Sequence, residues 1–509
     1  VASNGFKKSG IESIVLPATV ESIEFSAFGG SSLRSVNLES LTNLERIETE
    51  AFMGTQLTDV TIPASVETVK RAAFHTCRSL NTVVFAEGSI LESIPDECFN
   101  GCDSLKSISL PQGLKFVEYA SFFRCGLSEI DLPEGLDYIG KWAFWRSALT
   151  SVTVPSSVKY LGAGAFWDGS SLASISLPAG LQTLSAKAFG SCKALTTVMA
   201  RGALTDASSV LLPSSGSNDV FVGVDKSKVT IVLPATGDDG STYDQMVAAW
   251  SGYGFSKFSP MSGPLPTVDN AGNDDLSKAG WSLNADGLLV ISGTETIADL
   301  GWVYNKADES GANTKYWGPV RSFVKSISTT RASSVEGSMD CWFQDMPNLT
   351  DISDVHVLPG ATSVAGMFQN DISLETTTSM SFPESVTSVH GLFQRCTSLR
   401  DVAVGFSLPA RVEDCSYLFD GCSGLTDLPE GFSFPDTVST IAGFFSGWDQ
   451  LESIPASFSF PIQVKRVDYL FQGCASLLSL PDGFTLPACV TGADGMFAPW
   501  SSVRSVTAE

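Results

Sequence analysis

Phenylalanine recurs in this chain at intervals too short for any one unit to enclose a core. Phe28, Phe52, Phe74, Phe99, Phe122, Phe144, Phe166 and Phe189 span 161 residues in seven steps, a mean period of 23. Phe6 lies 22 residues before Phe28, so the chain opens inside a further unit. Between the phenylalanines runs L-x-x-I-x-L-P, as in Leu105 to Pro111, Leu149 to Pro155 and Leu172 to Pro178. Its closing alternation predicts a short β-strand that proline ends. A second apolar pair follows, such as Val66 and Val69 or Leu181 and Leu184, and then the next Phe. Such a unit cannot bury its own apolar face, so stacked neighbours must do so, and the expected architecture is a solenoid.

A second array keeps a related plan in a different period. Phe343, Phe368, Phe393, Phe419, Phe445, Phe471 and Phe497 are spaced by 25, 25, 26, 26, 26 and 26 residues. Leu418 to Pro429 shows its L-F-x-G-C-x-x-L-x-x-L-P core, and Phe406, Phe432, Phe458 and Phe484 add a second column. The pattern divides the chain as follows: a first array over 1–200, a capping region over 201–262 and a linker over 263–280, then a hairpin-containing cap over 281–334 and the second array over 335–509. Within the interruption, Val229 to Leu233 reads as a strand and Tyr243 to Trp250 as a short helix. Pro260 to Asp275 is rich in Gly, Pro, Asn and Asp and is the expected linker. Trp281 to Ile291, centred on Asp286-Gly287, predicts a β-hairpin.

Composition narrows the function. Hydrophobic residues make up 43% of the 509 and charged ones 17%, which suits a core-forming chain rather than a disordered one. A net charge of −24 argues against nucleic acid or an anionic membrane as partner. No run of some 18 apolar residues exists, so no membrane-spanning helix is expected. Val1 to Gly5 lacks the regions of a signal peptide. The expectation is therefore an ectodomain segment excised from a longer protein.

The A-F-x-x-C-x-x-L-x-x-I-x-L-P pattern resembles the BspA-type leucine-rich repeats of bacterial surface proteins. The later L-F-x-G-C-x-x-L units resemble a related class in bacterial surface proteins and lipoproteins. Trp281-Ser282-Leu283 to Ile291-Ser292-Gly293 resembles a segment that often precedes such arrays in Gram-positive members. The resemblance implies a leucine-rich repeat solenoid, a right-handed curved superhelix of short strands with turns or short helices. It also implies an extracellular or cell-surface bacterial protein of the adhesin class, monomeric and without cofactor, whose partner is a host or microbial surface protein or glycan.

Several motifs invite sharper readings that their context does not support. Leu233-Pro234-Ala235-Thr236-Gly237 matches a sortase sorting signal, yet Asp238-Asp239-Gly240 follows where an apolar stretch and basic tail are needed, so a strand end and turn are expected. Seven of the eleven cysteines, Cys77, Cys102, Cys125, Cys192, Cys396, Cys422 and Cys474, fall three residues after a repeat Phe, where Trp448 and Trp500 stand after Phe445 and Phe497. A column that takes Cys or Trp is a packing column, so free core thiols are expected, with a disulfide between neighbouring coils as the alternative. His75 and His390 flank repeat phenylalanines and are expected to face solvent. Glu129 and Asp131 lie on neighbouring strand positions, but nothing encloses a cleft around them, so no catalysis is expected. Asp238-Asp239 and Asp274-Asp275 lack the spacing of a calcium loop and read as solvated turns. Asn348-Leu349-Thr350 is a formal glycosylation sequon.

Outward positions on the strands carry small polar residues: Ser35/Asn37, Asp59/Thr61, Ser107/Ser109, Ser151/Thr153 and Ser174/Ser176. Such a face is either an adaptable recognition surface or merely a soluble one. Three consecutive units break the repeat's own rule. Six residues before the Phe, where Thr68, Ser93 or Thr183 stand elsewhere, they carry Phe116, Tyr138 and Tyr160. One residue after it they carry Phe123, Trp145 and Trp167, and Trp142 adds to the group. Spacing of 22 keeps each set in register from coil to coil. Aromatic residues at water-facing positions predict a contact site, since Trp and Tyr dominate interface hot spots. The competing reading is that stacked rings brace the solenoid. Three functions follow: an adhesin-like binding protein, a carbohydrate binder stacking sugars on Tyr138, Trp145, Tyr160 and Trp167, or a passive stalk.

Overall fold

The computed structural model describes residues 1–203, 219–269, 275–284, 286–300, 316–455, 458–478, 480 and 484–498. The chain divides into two compact units, Val1–Pro260 and Met261–Glu509. Each is built of coils, with little helix.

In the first unit the L-x-x-I-x-L segments pair in parallel, one residue per partner. Asp59–Ile62, Thr82–Phe85 and Ser107–Ser109 form one such sheet. Ser151–Thr153, Ser174–Leu177, Thr197–Ala200, Thr230–Leu233 and Lys257–Pro260 form another. The gap between the two sheets falls at Glu129 and Asp131, whose segment is not a strand. The second apolar pair of each unit forms a strand too, which the sequence did not reveal. Ser93–Ile94, Phe116–Val117, Tyr138–Ile139, Tyr160–Leu161 and Thr183–Leu184 stand side by side. Two residues are too few for alternation to register as a pattern. The second residue of each pair is buried and the first faces outward.

The repeat Phe occupies the remaining side. From Phe6 to Phe221 the rings stack face to face, with centroid separations from 5.1 to 5.6 Å in every step. Each such pair is worth about 0.5–1.5 kcal/mol beyond area burial. The backbone makes this spacing possible. The Phe28 N–H donates to Ala51 O at 2.8 Å in the next coil, and Phe144 N–H to Ala165 O at 2.7 Å. Residues two before and two after the ring lie in the left-handed region: Glu50 and Gly54 around Phe52, Trp142 and Arg146 around Phe144. Ala27, Ala51, Ala73, Ala143, Ala165 and Ala188 precede the ring and are fully buried, which explains the recurrent Ala.

The thiol column does more than pack. Cys77 Sγ donates to Phe52 O at 3.1 Å, Cys192 to Phe166 O at 3.2 Å and Cys422 to Phe393 O at 3.1 Å. Trp448 Nε1 donates to Phe419 O at 3.0 Å in the same way. Cys and Trp therefore share this column because each brings an apolar body and a donor for the preceding Phe carbonyl. All eleven cysteines are free, ten of them buried and Cys489 exposed. Burial pushes the Cys77 thiol up to about 11 and Cys125 up to about 12. Trp500 lies outside the described residues, as does Asp274.

Phe221 extends the stack beyond Phe189, although 32 residues separate them. The ladder then ends on Phe255 and Trp250, which meet Phe221 edge-on and tilted at 5.2 and 6.4 Å. Trp250 and Met246 are the buried face of the helix Tyr243–Gly252. A reciprocal capping box starts that helix: Gln245 N donates to the Thr242 hydroxyl and Thr242 N to Gln245 Oε1. Leu233 to Gly237 is a strand end followed by a turn, with Asp239 accepting from Ala203 N at 2.9 Å.

The second unit opens on a five-stranded sheet. Ser262–Pro264, Gly280–Leu283 and Leu288–Ile297 run antiparallel, and Ser326–Val335 and Asp351–Asp354 add on in parallel. Trp281 pairs with Ile291 and Gly287 has φ +87, which is the expected hairpin. In the coils that follow, the strands shrink to single bridges: Ser363, Ser388, Asp414, Thr440, Arg466 and Gly492 pair in turn. The Phe ladder continues through Phe343, Phe368, Phe393 and Phe419. It runs again from Phe445 through Phe471 to Phe497. Phe406 and Phe458 wedge edge-on or tilted against it. One residue after the Phe, this unit carries a buried amide chain: Gln369 donates to Gln394 at 2.6 Å and Gln394 to Asp420 at 2.9 Å.

His390 corrects an expectation. It is 5% exposed, its Nδ1 lies 3.3 Å from Asp414 Oδ2, and the Tyr417 ring covers it at 5.4 Å. The next coil closes over a position that a lone coil would leave wet. His75 is half-buried, and burial holds its pKa below the ordinary value. Among the described residues no helix is long and apolar enough to cross a membrane.

Two measurements check this account. Phe144→Ala is expected to cost about 3–5 kcal/mol in denaturant unfolding, while Phe116→Ala, outward on its strand, costs under about 1 kcal/mol. Native protein treated with a thiol reagent near pH 8 is expected to label at Cys489 alone, with the other thiols reacting only on unfolding. Rapid labelling of a second thiol would contradict the burial described.

Candidate recognition surface

The three coils with aromatic departures place them in two columns. Phe116, Tyr138 and Tyr160 occupy matching outward positions of adjacent two-residue strands, flanked in register by Ser93 and Thr183. Phe116 and Tyr160 are each 36% exposed and Tyr138 is half-buried. The Tyr138 and Tyr160 rings stack at 4.8 Å and 9°, and Phe116 tilts against Tyr138 at 6.5 Å. Burial, then Tyr160, Glu118 and Asp96, hold the Tyr138 hydroxyl above its ordinary pKa.

The second column lies at the Phe corner. Trp145 and Trp167 stack at 5.0 Å and 9°, and Phe123 meets Trp145 edge-on at 4.9 Å. Trp142 tilts against Trp145 at 5.0 Å and against Tyr119 at 5.6 Å. All four expected members of this column are half-buried. The structure thus groups the seven predicted residues by column, Phe116, Tyr138 and Tyr160 in one and Phe123, Trp142, Trp145 and Trp167 in the other. Tyr119 was missed, although it stands three residues before Phe122, where Asp96 and Ala163 stand in other coils.

Ring faces are largely spoken for. Lys141 Nζ sits 4.2 Å over the Trp142 ring, Lys187 Nζ 5.0 Å over Trp167, and the Arg146 guanidinium 5.8 Å from Trp145. Such contacts are worth about 0.5–1 kcal/mol each at exposed sites. These cations also went unforeseen, because they come from positions that carry no fixed chemistry elsewhere. The Trp145 indole N–H is closed off from solvent and finds no acceptor among the described residues.

Backbone geometry explains why the rings lie as they do. Trp142 holds φ +61, a costly conformation for a bulky residue, and its indole lies over Gly164 of the next coil. A Cβ at Gly164 would stand 2.9 Å from Trp142 Cδ1 and 3.3 Å from Trp167 Cε3. Tyr417 over Gly443 and Tyr469 over Gly495 repeat the device in the second unit. An aromatic residue two before the Phe is paired each time with a glycine one coil later.

The polar strand face is only partly open. Asp59, Ser107, Ser109 and Thr153 are exposed, but Ser174 and Ser176 are 2% and 7% exposed, contrary to expectation. Alternation aims their side chains away from the core without deciding what covers them. The described residues hold no group of three or more His, Cys, Asp or Glu side chains that could hold a metal ion. A cavity of about 680 Å³ in the second unit is lined by Asp269, Glu295, Glu336 and several threonines.

Gly164→Ala is expected to lose about 1–2 kcal/mol, the cost of a left-handed alanine, and to displace Trp142. Near-ultraviolet circular dichroism should change while the far-ultraviolet spectrum holds. Gly180→Ala, with no left-handed φ and a nearest atom at 3.6 Å, should change neither.

Comparison with known proteins places the fold. Residues 1–94, 92–210 and 364–481 match the BspA type leucine rich repeat region, in six copies. A leucine-rich repeat protein from Bacteroides ovatus is 17% identical over 86% of this chain and 84% of its own, with a TM-score of 0.27. The leucine-rich repeat protein of T. pallidum is 26% identical over 40% of this chain and 85% of its own, also with a TM-score of 0.27. A leucine rich cell surface protein from Faecalibacterium prausnitzii is 18% identical over 89% and 80%, with a TM-score of 0.25. No curated protein matches.

Proposed function

This chain belongs to the BspA-type leucine-rich repeat family, and on that premise we propose that it is a non-catalytic binding protein of a bacterial cell surface. It recognises a protein on a host or neighbouring cell through Phe116, Tyr138 and Tyr160 together with Phe123, Trp142, Trp145 and Trp167. One observation carries this reading: Phe, Tyr or Trp stands at two columns of the same three coils and at neither column in any other coil of the first array. A solenoid whose other coils stand without such rings does not need them for stability. Partly exposed aromatic edges beside polar coils are the composition of a protein interface.

Sugar stacking fits the geometry less well. A pyranose lies flat on a free ring face, whereas Tyr138 and Tyr160 spend faces on each other and Lys141 and Lys187 cover Trp142 and Trp167. Neighbouring rings and lysines thus take up faces that a sugar would need.

The test is binding of the chain to immobilised extracellular-matrix proteins and to glycans, beside Tyr138→Ser/Trp145→Ser/Tyr160→Ser/Trp167→Ser. Serine is common at water-facing positions of these coils, so the far-ultraviolet spectrum should be kept. The expected result is protein binding by the unsubstituted chain that falls at least about tenfold in the variant, the scale of one hot-spot residue. Equal binding by both would move the site away from the aromatic columns.

A further inference from the structure

The tryptophan column departs from the rest of the chain in charge as well as in shape. The protein carries a net charge of −24, yet Arg124, Lys141, Arg146 and Lys187 gather here. Arg124 and Arg146 stand two residues after Phe122 and Phe144, where Lys8, Gly30, Gly54, Thr76, Gly101, Asp168 and Ser191 stand in other coils. They belong to adjacent coils joined by backbone hydrogen bonds, Arg124 N–H to Trp145 O and Arg146 N–H to Trp167 O.

Pairing separates this column from its neighbour. On the strand face, Lys115 is paired with Glu92 and Lys159 with Asp137. At the tryptophans Arg146 is paired with Asp168 at 2.8 Å, whereas Arg124, Lys141 and Lys187 make no ion pair among the described residues. Lys141 and Lys187 thus lie over indole rings with no carboxylate paired to them among the described residues. Stacking and the two lysines occupy faces of these rings, whose edges carry positive potential.

We propose that the Trp142, Trp145 and Trp167 surface captures an acidic segment of a partner protein. Its carboxylates are held by Arg124, Lys141, Arg146 and Lys187 while neighbouring apolar side chains lie along the ring edges. This deepens the reading of the aromatic columns as a binding site and rests on it. Carboxylates suit every exposed element of the surface: guanidinium, ammonium and ring edge. Nucleic acid suits the cations but is repelled by the molecule as a whole and stacks its bases on ring faces. An acidic glycan suits the cations but meets ring faces already taken by stacking and by lysines.

The probe is a fluorescein-labelled dodecapeptide of alternating Glu and Leu, compared with its Gln–Leu counterpart by anisotropy on the full chain. The Glu–Leu peptide is expected to bind about tenfold tighter or more, a preference that shrinks as NaCl rises to about 0.5 M. Arg124→Gln/Lys141→Gln/Lys187→Gln should bind the two peptides alike, and Trp145→Ser/Trp167→Ser should bind neither. Equal affinity for the two peptides, or a preference that survives in the charge-removed variant, overturns the proposal. So does displacement of the peptide by hyaluronate fragments at lower concentration than unlabelled peptide, which would make the site one for glycan. The matrix-protein assay separates the two levels. If the serine variant loses binding and the glutamine variant keeps it, the acidic-partner inference fails and the aromatic site stands. If both keep it, the site itself is misplaced.

Discussion

Almost every repeat Phe N–H donates to the carbonyl one residue before the Phe of the next coil, and that bond sets the terms for the rest of the molecule. Phe28 to Ala51 and Phe144 to Ala165 show it in the first unit, and Phe393 to Leu418 in the second. The bond holds the backbone at the phenylalanine corner in close register from coil to coil. Rings then stack at a little over 5 Å, and a thiol or indole three residues on can reach the carbonyl of the previous Phe. Left-handed residues on either side of the ring make the turn that aims alternate carbonyls along the stack. Most of those residues in the first unit are not glycine, so the corner carries strain of about 1–2 kcal/mol at each. Stacked, fully buried phenylalanines and coil-to-coil hydrogen bonds offset it, and neither exists in an isolated coil. The fold is therefore cooperative between neighbours by construction.

That constraint also decides what the sequence could disclose. Ring spacing gave the coils, the proline-ended strands and the hairpin at Trp281, because each depends on a period or a turn signal. The helix at Tyr243 was legible too, while the capping box of Thr242 and Gln245 that starts it emerged only in the structure. What failed to register was whatever a neighbouring coil supplies. His390 seemed to be a surface residue until Asp414 and Tyr417, one coil later, are seen to close over it. Ser174 and Ser176 alternate outward as expected and are covered nonetheless. Glu129 and Asp131 were placed on a strand that does not form. The thiol column was read as packing, and its hydrogen-bonding half emerged only from the distance to the preceding Phe.

The candidate site was half legible. Departure from a repeat is visible in one dimension, so the seven aromatic residues could be picked out as rule-breakers. Their arrangement could not. Whether a ring presents a face or an edge depends on what lies over it, and here that is another ring or a lysine from a position with no fixed chemistry. Lys141, Arg146 and Lys187 turn a row of aromatics into a surface with a sign. The same column in the second unit holds buried Gln369 and Gln394, linked to each other and on to Asp420. One backbone site can thus serve either as an outward display or as an internal strut.

Phe221 takes its place in the stack although 32 residues separate it from Phe189, where the other steps of that array average 23. The lattice counts rings and carbonyls rather than residues. The number of residues between two rings can therefore vary while Phe221 still stacks on Phe189. Coil number and chain length are consequently separable in this architecture. A lineage could lengthen one loop freely while the stack continues unbroken, yet a single bulky residue in place of Ala165 would jam it.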